Sequence, residues 1–359
     1  MNAPERVVLV AANPQGARTG NEIALLRTGE VLRRAGADVV VARPGDTADE
    51  VAARVATGPR PALVHGFHAR RSGPRALELA QRLHVPLVLS VTGTDLAIDV
   101  HRADRAPVVT AALRAAAGVV CGHADEVDAV RAAAPGVRVC RVIPKSVHLP
   151  ASLPAPTLPR TADEVLVLVV AHVRRVKNVA TAVRAVRAAG PPLRLVVLGD
   201  VLEPEAVPEL VRDAGGADAW ARTLVPAVPH AEVGGCLVSA DLVLNTSDSE
   251  GGSNAILEAF AHGRPVVASD VPGNAAFVGT DGSRGVLYPV RRGADGGLVH
   301  DERELAHILR ELARDAPRRA RMGAAARAWV GAQHSEEAER EALLALYAAA
   351  LNRDSSGTR

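Results

Sequence analysis

Two carboxylates and a pair of glycines open the chemistry of this chain. Ser249-Glu250-Gly251-Gly252-Ser253-Asn254-Ala255-Ile256-Leu257-Glu258 places Glu250 and Glu258 with seven residues between them, directly after a short apolar strand, Asp241 to Asn245. The spacing beyond the glycines predicts an amphipathic helix. Glycine lets a ligand approach the backbone, and the unpaired N–H groups of a first helical turn, with the helix dipole, favour an anion such as a diphosphate. Glu258, two turns into that helix, is suited to accept hydrogen bonds from the vicinal hydroxyls of a ribose. Ordinary helix-start and helix-surface acids are the plainer alternative.

His172-Val173-Arg174-Arg175-Val176-Lys177-Asn178 follows another apolar run, Val165 to Val170. Arg174 and Lys177 are three apart at a strand-to-helix turn, so a guanidinium fork and an ammonium point charge can reach one diphosphate. Three segments in the first hundred residues could meet a second substrate. Asn13-Pro14-Gln15-Gly16-Ala17-Arg18-Thr19-Gly20-Asn21 links a strand to a helix starting near Glu22, and fits neither the dinucleotide fingerprint nor a P-loop. His65-Gly66-Phe67-His68-Ala69-Arg70-Arg71-Ser72-Gly73 gathers two imidazoles, two guanidinium groups and a hydroxyl at a strand end, a cradle for a small oxyanion, with surface charge as the alternative. Thr92-Gly93-Thr94-Asp95-Leu96 sets Thr94 and Asp95 at the carboxyl edge of the next strand, with a helix cap as the alternative.

The elements that must carry these groups alternate. Strands are expected at Val7 to Ala12, Val39 to Ala42, Ala62 to His65, Leu87 to Val91, Val119 to Cys121 and Val139 to Ile143, with helical patterns between most of them. Continuous apolar strands are buried on both faces, which implies a parallel sheet covered by helices. Four prolines in residues 149–160 forbid a helix, and the alternation restarts at Val165 to Val170, Leu193 to Leu198, Leu224 to Val225, Leu242 to Asn245, Val266 to Ala268 and Val286 to Leu287. The fold class is therefore α/β: two Rossmann-like, doubly wound domains, expected to face a central cleft with ligands at the carboxyl ends of their strands. The expected division is an N-terminal domain over 1–148, a proline-rich linker over 149–163, a C-terminal domain over 164–334, a last helix over 335–351 and a disordered tail over 352–359.

Composition narrows the classes. The 359 residues are 48% hydrophobic and 2% aromatic with a formal charge of +2, so base-stacking platforms and a broad basic field for nucleic acid are not expected. Cys121, Cys140 and Cys236, odd in number and widely separated, are expected as buried thiols of a reducing, cytoplasmic protein. No run approaches the roughly 18 apolar residues of a membrane span, so integral membrane association is not expected. No Asp-x-Asp motif stands beside the Glu250 loop and no His/Cys cluster has metal spacing, so no metal is expected. Oligomeric state cannot be read from the chain.

Glu250-x7-Glu258, followed by Gly263-x-Pro265-Val266-Val267-Ala268 and Val271-Pro272-Gly273-Asn274, resembles the donor site of retaining family-4 glycosyltransferases of the GT-B type. The resemblance implies a UDP-sugar co-substrate. Glu258 would bind the ribose, while Glu250 with Gly251, Gly252, Ser253 and Asn254 would hold the donor sugar and diphosphate. Gly16, Arg174 and Lys177 would join the donor site, and the last helix would cross back to the N-terminal domain. Most of the family places the arginine five residues before the lysine, where this chain has His172, so Arg174 is read as the replacement and His172 as a supporting group. An imidazole common in the Thr92–Leu96 position is also absent. These departures, with the His68–Ser72 and Thr92–Leu96 segments, are similar to the selenosugar synthases of selenoneine biosynthesis. That similarity implies transfer from a UDP-sugar, typically UDP-N-acetylglucosamine, to selenophosphate, a small anionic acceptor. Asn21, His68, Arg70, Arg71, Ser72 and Thr94 are then candidates for acceptor binding, and Glu250 and Asp95 for the reacting centre, Asp95 as an orienting group. The alternatives are a retaining transferase with another small-molecule or carbohydrate acceptor and a non-catalytic nucleotide-sugar sensor.

Overall fold

The computed structural model describes residues 3–16, 19–147, 158–294 and 296–352. The expected linker lies mostly outside these residues, as does the tail beyond 352. The chain forms two compact units, one of residues 1–146 and 334–359, the other of residues 147–333.

In the first unit, six parallel strands arise from the Val- and Leu-rich runs: β1 (Arg6–Val10), β2 (Asp38–Ala42), β3 (Leu63–Phe67), β4 (Leu87–Ser90), β5 (Gly118–Cys121) and β6 (Cys140–Val142). Their order is β2-β1-β3-β4-β5-β6, with Val8 opposite Val40 on one side and Val64 on the other. Every residue of β1 and β3 is buried, as helix cover on both faces requires. The order reverses between β1 and β3, so the loops after these two strands diverge at a topological switch point. The described parts of those loops include Asn13–Gly16 and His68–Ser72. The helix Glu336–Leu351 belongs to this unit and packs Leu343, Leu346 and Tyr347 against Val7, Leu9, Leu63 and Val88. Its Tyr347 hydroxyl lies 2.7 Å from His65 Nδ1, and His65 Nε2 lies 2.8 Å from Ser90 Oγ, so one buried imidazole ties the helix to β3 and β4.

The second unit repeats the architecture with β7 (Val165–Val170), β8 (Leu193–Leu198), β9 (Leu224–Val225), β10 (Leu242–Asn245), β11 (Val266–Ser269) and β12 (Gly285–Tyr288), in the parallel order β12-β11-β10-β7-β8-β9. Here the switch point falls between β7 and β10. A two-stranded antiparallel hairpin, β13 (Val290–Arg292) and β14 (Leu298–His300), follows β12 and was not expected from the sequence. Its strands are three residues long, mostly exposed or half-buried and partly charged, too short to show a period.

Three expectations need correction. The helix Asn254–Ala261 buries more than one stripe, Ile256, Leu257, Ala259, Phe260 and Ala261, because other helices cover it as well as the sheet, and Asn254 and Glu258 form its half-buried polar face. Cys121 and Cys140 are not far apart, since pairing of β5 with β6 brings their sulfurs to 3.4 Å, and Cys140 is only half-buried. Asp95 does not face an open edge. It is fully buried, because its carboxylate serves as an acceptor for two backbone amides, as described below.

Candidate active site

The switch point of the second unit brings together the two anion-binding segments. After β7 the chain forms a short 3-10 turn, Arg175–Lys177, and Asn178 adopts a left-handed conformation (φ 45°) that starts the helix Val179–Ala189. After β10 the loop Thr246–Ser253 leads into the helix Asn254–Ala261. The two loops are stitched along their backbones. Asp248 N donates to Val176 O at 2.9 Å, and Thr246 Oγ1 donates to Lys177 O at 3.1 Å and to Asn178 O at 2.9 Å.

Lys177 and Glu250, 73 positions apart in sequence, meet in a 2.6 Å ion pair. Ser247 Oγ at 2.7 Å and Asn245 Nδ2 at 3.1 Å donate to the same carboxylate oxygen, Oε1. Burial alone would raise the pKa of Glu250, but the Lys177 ammonium and these hydrogen bonds outweigh it and hold the carboxyl below the usual glutamate range. Glu250 is therefore an anion at neutral pH. Lys177, Glu250, Asn245 and Ser247 line a cleft with Val170 and Ala255, enclosing about 290 Å³ that includes space open to solvent.

Gly273 explains why Val271-Pro272-Gly273-Asn274 accompanies this site. A Cβ at Gly273 would stand 1.9 Å from the Glu250 carbonyl oxygen, so only glycine lets the helix Pro272–Val278 approach the loop. Asn274, fully buried, then donates to Asn245 Oδ1, Ser269 O and Ser269 Oγ. Gly199 plays the same part on the other flank, where a Cβ would lie 2.1 Å from Ala171 O.

The other donor candidates of this unit lie on the same two loops and on the helix that follows the second. Arg174 immediately precedes the turn, and its Nε is buried with no hydrogen-bond partner among the described residues. His172 supports the neighbouring loop, its Nδ1 accepting from Asp200 N at 3.0 Å. Gly252 has φ 92° and Ser253 precedes the helix, with Asn254 as its first residue. Glu258 lies within the helix, four-fifths or more buried, and its carboxylate is 2.9 Å from His230 Nε2 on the helix His230–Ser239.

In the first unit the acceptor candidates gather after β3 and β4, but several are committed to the protein itself. His68 is buried with φ 81°, a strained conformation for a non-glycine residue. Its Nδ1 accepts the Arg70 and Arg71 backbone N–H groups at 3.3 and 3.4 Å, so Nε2 carries the hydrogen and points at Thr94 Oγ1, 3.2 Å away. Burial, reinforced by the Arg71 charge, keeps the imidazole below the ordinary histidine pKa despite Asp95 nearby. Asp95 accepts from Ala69 N at 2.9 Å and Thr92 N at 3.0 Å, which locks the two loops together. Ser72 Oγ donates to Phe67 O and His68 O at 2.7 and 3.2 Å and is fully buried, so it does not present a hydroxyl to a ligand. Arg70 Nε donates to Asp99 at 2.7 Å and Arg105 Nη1 to the same carboxylate at 2.9 Å. Asp99 and Arg105 escaped the sequence reading because the helical turns that follow Thr94 bring them back to the loop. Gly16, with φ 80°, and Asn21 lie on the loop and helix start after β1, where Thr19 caps the helix Gly20–Arg34. Ala17 and Arg18 fall outside the described residues.

Comparison with known proteins finds glycosyltransferases. Residues 164–315 match the family described as "Glycosyl transferases group 1". The D-inositol 3-phosphate glycosyltransferase of Stackebrandtia nassauensis is 36% identical over 173 residues, covering 47% of this chain and 34% of that protein. The "Glycosyltransferase 1 domain-containing protein 1" of Xenopus tropicalis is 26% identical over 152 residues, covering 42% of this chain and 40% of that protein. This chain thus spans well under two thirds of the curated relatives it matches. Over nearly its whole length it shares the fold of the sucrose-phosphate synthase of Thermosynechococcus elongatus, with TM-score 0.80, 21% identity, and 96% of this chain and 98% of that one covered. The Anabaena protein HepE, solved in complex with UDP-glucose, superposes with TM-score 0.73 at 18% identity over 95% of this chain and 98% of that one. The chain shares the two-domain GT-B fold of these structures, and its residues 164–315 match the model of the group 1 glycosyltransferases.

Proposed function

We propose that this protein is a metal-independent glycosyltransferase that takes a sugar from a UDP-sugar and transfers it to a small anionic acceptor. The observation that carries the reading is the cationic turn Arg174–Lys177 set against the ionised Glu250 at the switch point of the second unit. Arg174 offers a buried, unpartnered Nε, and Lys177 lies beside the glycine-rich helix start, an arrangement that suits the diphosphate of a leaving nucleotide. The three bonds on Glu250 converge on Oε1, which leaves Oε2 for a hydroxyl of the donor sugar. Glu258 receives the ribose, exchanging its contact with His230.

Departure of UDP generates an oxocarbenium-like sugar, whose partner charge is offset by Arg174, Lys177 and the amides of Gly251 to Asn254. Glu250 is given to a hydroxyl of the donor sugar, and in this reading the acceptor attacks from the leaving-group face with retention. HepE bears UDP-glucose in its solved complex, which favours a UDP-sugar here.

The acceptor is proposed to be selenophosphate and the donor sugar N-acetylglucosamine, which gives a carbon–selenium bond. Such a nucleophile is already ionised, so it requires cations rather than a general base. Arg70 and Arg71 supply the cations, and Thr94 and the Nε2 side of His68 border them. Asp95 and Ser72 act only by shaping this loop. Purified protein incubated with UDP-N-acetylglucosamine and selenophosphate, followed by UDP release and product mass, tests the reading. A product that carries the sugar on selenium supports it, either the glycosyl selenophosphate formed as UDP leaves or, once water has cleaved its P–Se bond, the selenosugar and phosphate. UDP release only with an alcohol acceptor removes the selenium assignment, and UDP binding without turnover on any acceptor leaves a nucleotide-sugar sensor.

A further inference from the structure

We propose that His300 is a positioning residue for the diphosphate-binding turn, acting through Asp248 on Asn178 and Lys177. The inference rests on the donor-site reading above and adds to it a hydrogen-bonded chain that begins in the core and ends on Val176 and Asn178, the residues on either side of Lys177. Tyr288, the last residue of β12, is fully buried, and its hydroxyl lies 2.7 Å from His300 Nδ1. His300 closes β14 with its side chain 3% exposed, and its Nε2 lies 2.8 Å from Asp248 Oδ1. Asn178 Nδ2 donates to the same oxygen at 3.2 Å. Asp248 N is bonded in turn to Val176 O, so one aspartate grips the turn Val176–Asn178 by a side chain and a main chain.

Asn178 Nδ2 donates to Asp248 Oδ1, His300 Nε2 meets the same oxygen, and the Tyr288 hydroxyl meets the other ring nitrogen, so both nitrogens of the imidazole are held. Burial holds that phenol in its protonated form, the form that can donate. Asp248 is left 39% exposed with two donors aimed at Oδ1, so its carboxylate cannot swing away from Asn178 without breaking the bond to His300. Asn178 needs such a restraint because its left-handed φ of 45° costs energy. Lys177 is the preceding residue, and its backbone carbonyl is already held by Thr246. The hairpin β13–β14 thus has a function: it delivers an imidazole that orients the second-row carboxylate beneath the anion site.

Calorimetric titration of UDP into the full-length protein and its variants tests this. His300→Ala should weaken UDP binding about tenfold, and His300→Gln, which keeps a donor near the Nε2 position, should recover most of that loss. In a Lys177→Ala background, His300→Ala should cost nothing further, since its effect passes through Lys177. Asp248→Asn, at a half-exposed position, provides the same loss if His300→Ala fails to fold. A purely structural role for His300 would lower the melting temperature of His300→Ala and leave UDP affinity unchanged. That result, or losses that simply add in the double variant, overturns the inference while Lys177→Ala alone still tests the donor site. UDP failing to bind the parent protein overturns both.

Discussion

Glu250 is ionised in a place where water is scarce, and its neighbours are what make that state affordable. Lys177, Ser247 and Asn245 converge on it, and its pKa is depressed as a result. A depressed carboxyl contributes stability that is present above the ordinary value of about 4.3 and lost as pH falls through the lower folded value. Urea midpoints of the parent protein and Glu250→Gln, compared between pH 7 and pH 2.5, should therefore differ at neutral pH and converge in acid. A gap that stays constant would mean that the charge of Glu250 contributes nothing. The pairing with Lys177 was not legible in the sequence, where each residue appeared only as a member of its own segment. Proximity across 73 positions follows from the strand order, which places β7 beside β10.

At the scale of elements, the strands were readable because both faces of a parallel sheet are buried, which leaves unbroken Val and Leu runs such as Val165–Val170. The hairpin β13–β14 was not, since three residues with two arginines carry no apolar period. The glycines were legible as motif members but not as contacts. Gly273→Ala should force the Glu250 loop away from the helix Pro272–Val278, at a cost of roughly 1–3 kcal/mol or more, and should abolish UDP binding with it. Unchanged UDP affinity in that variant would mean the loop can shift freely. The last helix is fastened differently, by His65, whose pKa burial pulls down to about 3. A buried neutral histidine binds its proton only on unfolding, so stability is full above about 6.5 and drains as pH falls towards the folded value. The slope of melting temperature against pH between 6.5 and 4 should be shallower for His65→Gln, and an identical slope would contradict the assignment.

In the whole molecule, the proposed donor site lies in residues 147–333 and the proposed acceptor site in the other unit. Glu258→Ala should weaken UDP binding by roughly 1.5–3 kcal/mol through lost ribose hydrogen bonds. Arg70→Ala should leave UDP affinity almost unchanged and raise the acceptor concentration needed for turnover. Equal losses of UDP affinity in the two variants would contradict the division. Among the described residues no helix is long and apolar enough to cross a membrane. The Glu250–Glu258 segment could be singled out because it is contiguous, whereas Asp99 and Arg105 reach Arg70 only through the fold.

The most direct measurement is a crystal structure of the protein soaked with UDP. The account predicts the diphosphate at the carboxyl ends of β7 and β10, within hydrogen-bond reach of Arg174 and Lys177, with the ribose on Glu258. Density for UDP anywhere else, or a diphosphate there that touches neither cation, would contradict it.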